Sequence, residues 1–321
     1  MAAARVVTLT LNPTIDISSE ADKVRHTHKT RTFGEEIEPG GGGINVARVL
    51  HRLGADVCAL FLSGGITGRV LDELLKRAGI DHRMVPIEGD TRISLTIAER
   101  SSGKEFRFVP EGPEVGPSEA KALLDAAAQT PCDYLVASGS LPRGVSEDFY
   151  AQLAEAATRR GVRFVLDTSG PPLRAAIDAG GLFLLKPSRG EFEALVGRAL
   201  SPAELAKQAE KLVESGKAEQ VAITLGQEGA ILANRDGSQI RPAIPVEACS
   251  AVGAGDSFLA GMVYGFALGK SADEAFHIGL AAGAAAVLSC GSELCKPEDL
   301  KRLIGEALSG EEVDNLGVRK R

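Results

Sequence analysis

Hydrophobic and polar positions along this chain follow two rhythms. Residues 6–11 form an unbroken apolar and β-branched run, which predicts a buried first strand ended by the turn Asn12-Pro13-Thr14. Val46, Val49, Leu50 and Leu53 then recur at helical spacing before Gly54. A strand over 56–62 and a helix over 70–78, stopped by Gly79, follow. Residues 92–99 alternate, with Ile93, Leu95 and Ile97 set against Ser94 and Thr96, and residues 105–109 return across Ser101-Ser102-Gly103. That pattern predicts a β-hairpin with one apolar and one polar face. Residues 17–38 are polar, β-permissive and without a helical stripe, so they join the hairpin in a small β subdomain. Its apolar face needs cover, from closure over the core, from a partner subunit, or from both.

From Pro117 onward the two rhythms take turns. A helix over 119–128 leads to a strand over 134–138, and a second helix ends near Arg160-Gly161. Strands over 162–166, 182–185 and 221–225 follow, the last returning through 230–233 to the turn Asp236-Gly237. Helices begin at Gly255, at Ala272 (to about 289) and at Pro297 (to about 308), and the charged last dozen residues are expected to fray. Strands separated by helices indicate an α/β fold with a parallel sheet. The predicted core comprises 1–16, 39–90 and 111–321, and the β lid comprises 17–38 and 91–110. Ligands of such sheets sit outside the carboxyl ends of the strands. Ser140, Asp167, Lys186 and Glu191 fall at or just beyond such ends, and Asp16 stands just past the first strand.

Composition narrows the field. The chain has 321 residues, 44% of them hydrophobic, with 37 glycines and no Trp, which suits an Ala/Gly-rich α/β enzyme. A net charge of −7 argues against nucleic-acid and membrane-surface partners. Any cationic site must be local, and Lys23, Arg25, His26, His28, Lys29 and Arg31 supply one such patch. Five scattered cysteines without a CxxC pair predict reduced thiols in a cytoplasmic protein and no zinc site. The N-terminus lacks a signal-type apolar stretch, and the bland run over 279–289 is too short to span a membrane.

Two stretches carry chemistry. Gly253-Ala254-Gly255-Asp256 leads directly into the apolar helix of Phe258, Leu259, Met262, Val263 and Phe266. Small residues opening a helix leave backbone N–H groups aimed one way at the positive end of its dipole, which makes an anion site. Asp256 there is either a helix cap or a base beside a phosphoryl group in transfer. Earlier, Pro39 and four consecutive glycines open into a helix whose first turn holds Asn45. Ordering four glycines is entropically costly, so close backbone approach to a ligand explains them better than a linker does. The run lacks the spacing of a dinucleotide fingerprint.

Together, Gly253-Ala254-Gly255-Asp256 and Gly41-Gly42-Gly43-Ile44-Asn45-Val46-Ala47 resemble the paired signatures of the ribokinase-like (PfkB-type) sugar kinases. Thr8-Leu9-Thr10-Leu11, Thr91-Arg92 and Ser138-Gly139-Ser140-Leu141-Pro142 extend the likeness to the phosphofructokinase branch. The resemblance implies a three-layer α/β/α sandwich with a small β-sheet lid, and the uncovered apolar face of that lid points to a homodimer formed through it. It implies ATP and Mg²⁺ as cofactors and a sugar phosphate as substrate, with the C1 hydroxyl of fructose-6-phosphate phosphorylated to fructose-1,6-bisphosphate in glycolysis. Tagatose-6-phosphate and fructose-1-phosphate kinases are the competing readings. The latter typically carry a Lys within the glycine run, where this chain has only Gly.

Carried over by position, Asp256 is the base, and Gly253, Ala254 and Gly255 are the anion hole. Asp16, Gly41, Gly42 and Asn45 hold sugar hydroxyls, and Lys29 and Arg92, with Arg31 and Ser140 behind them, meet the sugar phosphate. Lys186, Ser188, Thr224, Gly226 and Gly229 line the nucleotide site, and Glu191 organises Mg²⁺ through water. Ser188 stands where the family has Asn, so that corner is expected to differ. A non-catalytic sensor would show a damaged base or anion hole, and both are intact here.

Overall fold

The computed structural model describes residues 4–289 and 293–307. The C-terminal dozen residues expected to fray lie outside the described residues. A nine-stranded sheet of order β13-β12-β11-β10-β9-β8-β1-β4-β5 forms the centre. Its parallel strands are β1 (Arg5–Thr10), β4 (Asp56–Gly64), β5 (Asp81–Ile87), β8 (Tyr134–Ser138), β9 (Arg163–Asp167), β10 (Leu182–Leu185) and β11 (Ala218–Thr224). β12 (Ala230–Asn234) and β13 (Gly237–Arg241) add on antiparallel.

Alternate residues of each central strand enter opposite cores. Val57, Ala59 and Phe61 of β4 pack into one cluster, whereas Cys58, Leu60 and Leu62 pack into the other; Tyr134 and Val136 oppose Leu135 and Ala137 in β8. This is why these strands read as unbroken apolar runs. The first core is closed by α1 (Gly42–Arg52), α2 (Gly65–Arg77), α8 (Ala254–Ala267), α9 (Ala272–Val287) and α10 (Pro297–Ala307). The second is closed by α3 (Pro117–Gln129), α4 (Phe149–Arg159), α5 (Gly170–Ala179), α6 (Arg189–Val196) and α7 (Pro202–Glu214). The result is three layers, helix–sheet–helix. α8 and α9 press closely together because their meeting faces are small: a Cβ on Gly261 would lie 2.8 Å from Ala282 Cβ, and one on Gly265 2.7 Å from Ala275 Cα.

The second sheet has the order β3-β2-β6-β7, from β2 (Thr14–Ala21), β3 (Phe33–Gly40), β6 (Arg92–Glu99) and β7 (Lys104–Phe108). It takes in 14–16 and 39–40, which the sequence pattern assigns to the core; Asp16 lies inside β2, paired with Glu38 and Ser94, rather than just past a core strand. Directly paired residues line up Ile37, Ile17, Leu95 and Phe108 across all four strands. Ile37 and Phe108 on the edge strands and Leu95 between them are 52%, 54% and 41% exposed. The opposite face carries Thr14, Asp16, Ser94 and Glu38.

One expectation about thiols changes. Cys58, Cys132 and Cys295 are free, but Cys249 is held in a disulfide. Its N–H also bonds Val287 O at 2.7 Å, pinning the segment before α8 to the end of α9.

Candidate active site

The first turn of α8 is the centre of the site. Gly253 caps it in the left-handed region (φ 72°), which favours glycine, and no side chain caps the helix. A Cβ on Gly253 would also lie 2.4 Å from Leu294 Cδ2. Helix geometry leaves the N–H groups of this turn without intrahelical partners, which suits an anion; Ala254 N makes only a long bond, 3.5 Å, to Ala251 O before the helix. Asp256 sits in that turn, half-buried, and its Oδ2 accepts a 2.9 Å hydrogen bond from Asn45 Nδ2. Asn45 lies in the first turn of α1, its own N–H bonded to Gly41 O at 2.8 Å.

Lys186 follows β10 and is 4% exposed, with Nζ 3.1 Å from Asp167 Oδ1 at the tip of β9. Asp167 Oδ2 also accepts from Ser138 Oγ at 3.2 Å. A Cβ on Gly255 would be 3.6 Å from Lys186 Nζ, so the ammonium stands directly beyond the glycine turn. Burial opposes the charge on Lys186, but Asp167, Asp256 and Glu191 outweigh it and hold the ammonium protonated. Burial, reinforced by the charge of Asp167 and opposed by the Asn45 hydrogen bond and Lys186, pushes the Asp256 carboxyl up to about 6. A carboxyl group in that range is ionised at neutral pH yet basic enough to take a proton.

The glycine run is explained atom by atom. A Cβ on Gly42 would lie 2.3 Å from Ser138 Oγ and 3.1 Å from Gly139 N, one on Gly43 2.4 Å from Leu9 O, and one on Gly40 2.0 Å from Asp16 Oδ2. Gly41 has φ 106° and would strike Thr10 Cγ2 at 2.9 Å. The run therefore lets α1 begin in contact with the ends of β1 and β8, bringing Asn45 to Asp256. Burial raises the Asp16 carboxyl above its ordinary value, against the pull of Arg48, the Thr14 and Ser94 hydroxyls and Arg92.

On the other flank, Ser188 and Thr224 form a parallel bridge, and Thr224 N bonds Pro187 O at 3.1 Å. Ser188 caps α6: its Oγ accepts from Glu191 N, and its N–H donates to Glu191 Oε2 at 2.7 Å. Gly226 is exposed in the turn that follows. Gly229 is buried, and a Cβ there would lie 2.0 Å from Arg241 O, so packing alone requires that glycine.

The sugar-phosphate candidates are spread more widely. Arg92 donates to Pro110 O and Asn12 O, each at 2.9 Å, and its Nε is buried without a partner. Lys29 and Arg31 lie exposed between β2 and β3, and Ser140 is exposed after β8; none of the three is among the hydrogen-bond partners of Asn45 and Asp256 within the described residues. Two side chains beside this site have neighbours that the sequence patterns do not show. Asp167 at a strand tip was a visible signal, but nothing in the sequence shows its pairing with Lys186. Arg48, inside the Gly-run motif, lies 5% exposed behind Asn45.

A carboxylate in the first turn of a helix opened by small residues, with a buried ammonium beyond it, is an arrangement suited to phosphoryl transfer on an α/β/α sandwich. The family model for pfkB family carbohydrate kinases matches residues 6–299, and the chain belongs to that family. It is 42% identical over 313 residues to ATP-dependent 6-phosphofructokinase isozyme 2 of Mycobacterium tuberculosis, covering 96% of this chain and 91% of that protein. It is 33% identical over 302 residues to 1-phosphofructokinase of Borreliella burgdorferi, covering 93% and 96% respectively. The crystal structure of Escherichia coli phosphofructokinase-2 in complex with fructose-6-phosphate superposes with a TM-score of 0.89 at 35% identity, covering 94% of this chain and 99% of that one.

Proposed function

We propose that this carbohydrate kinase transfers the γ-phosphoryl group of ATP to the C1 hydroxyl of fructose-6-phosphate, as a cytoplasmic enzyme acting in glycolysis. The observation that carries the reading is the Asp256 carboxylate, whose pKa is raised to about 6, on a glycine turn whose N–H groups have no partner within the helix. The likeness to 6-phosphofructokinases over nearly the full chain, and a glycine run without Lys, favour a 6-phosphate substrate.

Asp256 accepts the C1 hydroxyl proton as the sugar oxygen attacks phosphorus and the bond to the β-phosphate oxygen breaks. The N–H groups of Gly253, Ala254, Gly255 and Asp256 stabilise the charge growing on the equatorial oxygens. Lys186 neutralises the phosphate oxygens beyond the turn. Asp16, Gly41, Gly42 and Asn45 orient the sugar, and Lys29, Arg31, Arg92 and Ser140 receive its phosphate. Ser188, Thr224, Gly226 and Gly229 bound the nucleotide.

No cluster of three or more metal-binding side chains occurs among the described residues. That suits Mg²⁺, which keeps several waters and rides on substrate phosphates. Glu191 would hold it through water, and the ion would supply charge neutralisation along the phosphate chain. One Glu191 oxygen is committed to the Ser188 N–H, leaving the other for such a water.

The exposed row Ile37–Leu95–Phe108 supports a homodimer formed through the lid sheet. The test is ADP release from MgATP with fructose-6-phosphate, tagatose-6-phosphate and fructose-1-phosphate, compared as kcat/KM. Preference for fructose-6-phosphate is expected. Preference for fructose-1-phosphate would mean that the sugar lies reversed, and absence of turnover would overturn the catalytic reading.

A further inference from the structure

Behind Asn45 lies a buried guanidinium that the reaction itself does not require. Arg48, one helical turn further along α1, donates NH1 to Pro39 O at 3.1 Å and to Asn45 Oδ1 at 3.4 Å, and NH2 to Glu38. Glu38 and Pro39 belong to β3, a strand of the lid, and Glu38 is the direct partner of Asp16 on β2.

An amide group has one accepting oxygen and one donating NH₂, so fixing either end fixes the other. With Oδ1 turned to Arg48, the Asn45 NH₂ must face Asp256, where it donates at 2.9 Å. The opposite orientation would set the amide oxygen against the carboxylate and favour its protonated form.

We infer that Arg48 is a positioning residue: it sets the Asn45 amide so that Asp256 receives a hydrogen bond, and it ties that setting to lid strand β3 through Glu38 and Pro39. The inference rests on Asp256 as the base. Lid and base thereby form one connected unit, Glu38–Arg48–Asn45–Asp256, running from the small sheet to the first turn of α8. The other charged groups bearing on Asp256 are Asp167, Lys186 and Asp16, and those bearing on Arg48 are Glu38, Arg52 and Asp16. Asp167 and Lys186 lie on the far side of the glycine turn and keep their own pairing when Arg48 is changed.

The test is the pH profile of kcat/KM in the full-length protein, from pH 5 to 9, for the wild type, Arg48→Lys, and the double variant Arg48→Met/Glu38→Gln. The double variant removes both charges together, and circular dichroism reports whether it folds. Arg48→Lys keeps one charge but cannot bridge Glu38, Pro39 and Asn45 at once, so it carries the same test if the double variant does not fold. Loss of the amide setting is expected to move the acid limb up by about one pH unit, the scale of one hydrogen bond to an ionised carboxylate. Activity at pH 6 relative to pH 8 then falls about fivefold, with Arg48→Lys intermediate. A uniform loss of kcat/KM at every pH, with the limb unmoved, would overturn the inference and leave Arg48 a packing residue. A wild type without an acid limb near pH 6 would instead overturn Asp256 as base, and the role of Arg48 with it.

Discussion

Asp256→Asn should make the protein more stable while removing its activity. Burial pushes the Asp256 carboxyl up to about 6, well above the usual carboxylate range. The folded state therefore holds that proton more tightly than the unfolded chain does. Below pH 4 both states are protonated and the group costs nothing. From about pH 4 to 6 the unfolded chain ionises while the native state keeps its proton, so stability falls across that window, and above it the native protein carries a carboxylate in a place that disfavours it. Holding the carboxyl that far above its ordinary value corresponds to about 3 kcal/mol at most. Partial solvent access lowers the expected cost to about 1–3 kcal/mol. Asparagine occupies nearly the same volume, keeps an oxygen to accept from Asn45 and carries no charge. Urea unfolding at pH 8 should show the variant more stable by this amount, with a Tm higher by about 2–6 °C for a chain of this size. The gap should close toward pH 4, and kcat should fall by about 10²–10⁴. A variant less stable than wild type at pH 8, or a stability gap indifferent to pH, would refute the reasoning; so would near wild-type turnover.

Two further outcomes follow from packing. Gly42→Ala drives a methyl group to 2.3 Å from Ser138 Oγ and 2.9 Å from the Ser138 carbonyl carbon. It should cost about 1–3 kcal/mol in denaturant midpoint measurements and weaken sugar-phosphate binding as α1 moves off β8. Leu95→Asp puts a charge in the middle of the exposed lid row, and light scattering should show the mass of one chain rather than two, with tertiary structure retained.

Much of this architecture could be read from the chain, but not evenly. The central strands declared themselves because both faces are buried, and the two glycine signatures because each opens a helix. β5 was not predicted: Asp81–Ile87 is an edge strand with Pro86 in it, and only Val85 and Ile87 are buried. α5 begins Gly170-Pro171-Pro172, which reads as a break although proline at the start of a helix is compatible with it. α7 carries a full capping box, Ser201 with Glu204, that the strand-to-strand reading passed over. In the site, single residues were legible and pairings were not. Asp167 and Lys186 meet only because β9 and β10 run side by side, and Asn45 meets Asp256 across 211 positions of sequence. Ser188, expected as a departure from the family pattern, is a helix cap here.

β2 places Asp16 and Ile17 next to each other on opposite faces of the lid, one turned to Arg48 and the catalytic side, the other into the apolar row. A strand has a repeat of two, so inserting or deleting one residue between Thr14 and Ile17 would exchange the two faces beyond it. The carboxylate would then point out into the apolar row, and an isoleucine would point toward Arg48. Length variation in this family member is therefore expected to be excluded from β2 and tolerated in the exposed 22–32 connection, where an added residue changes no face.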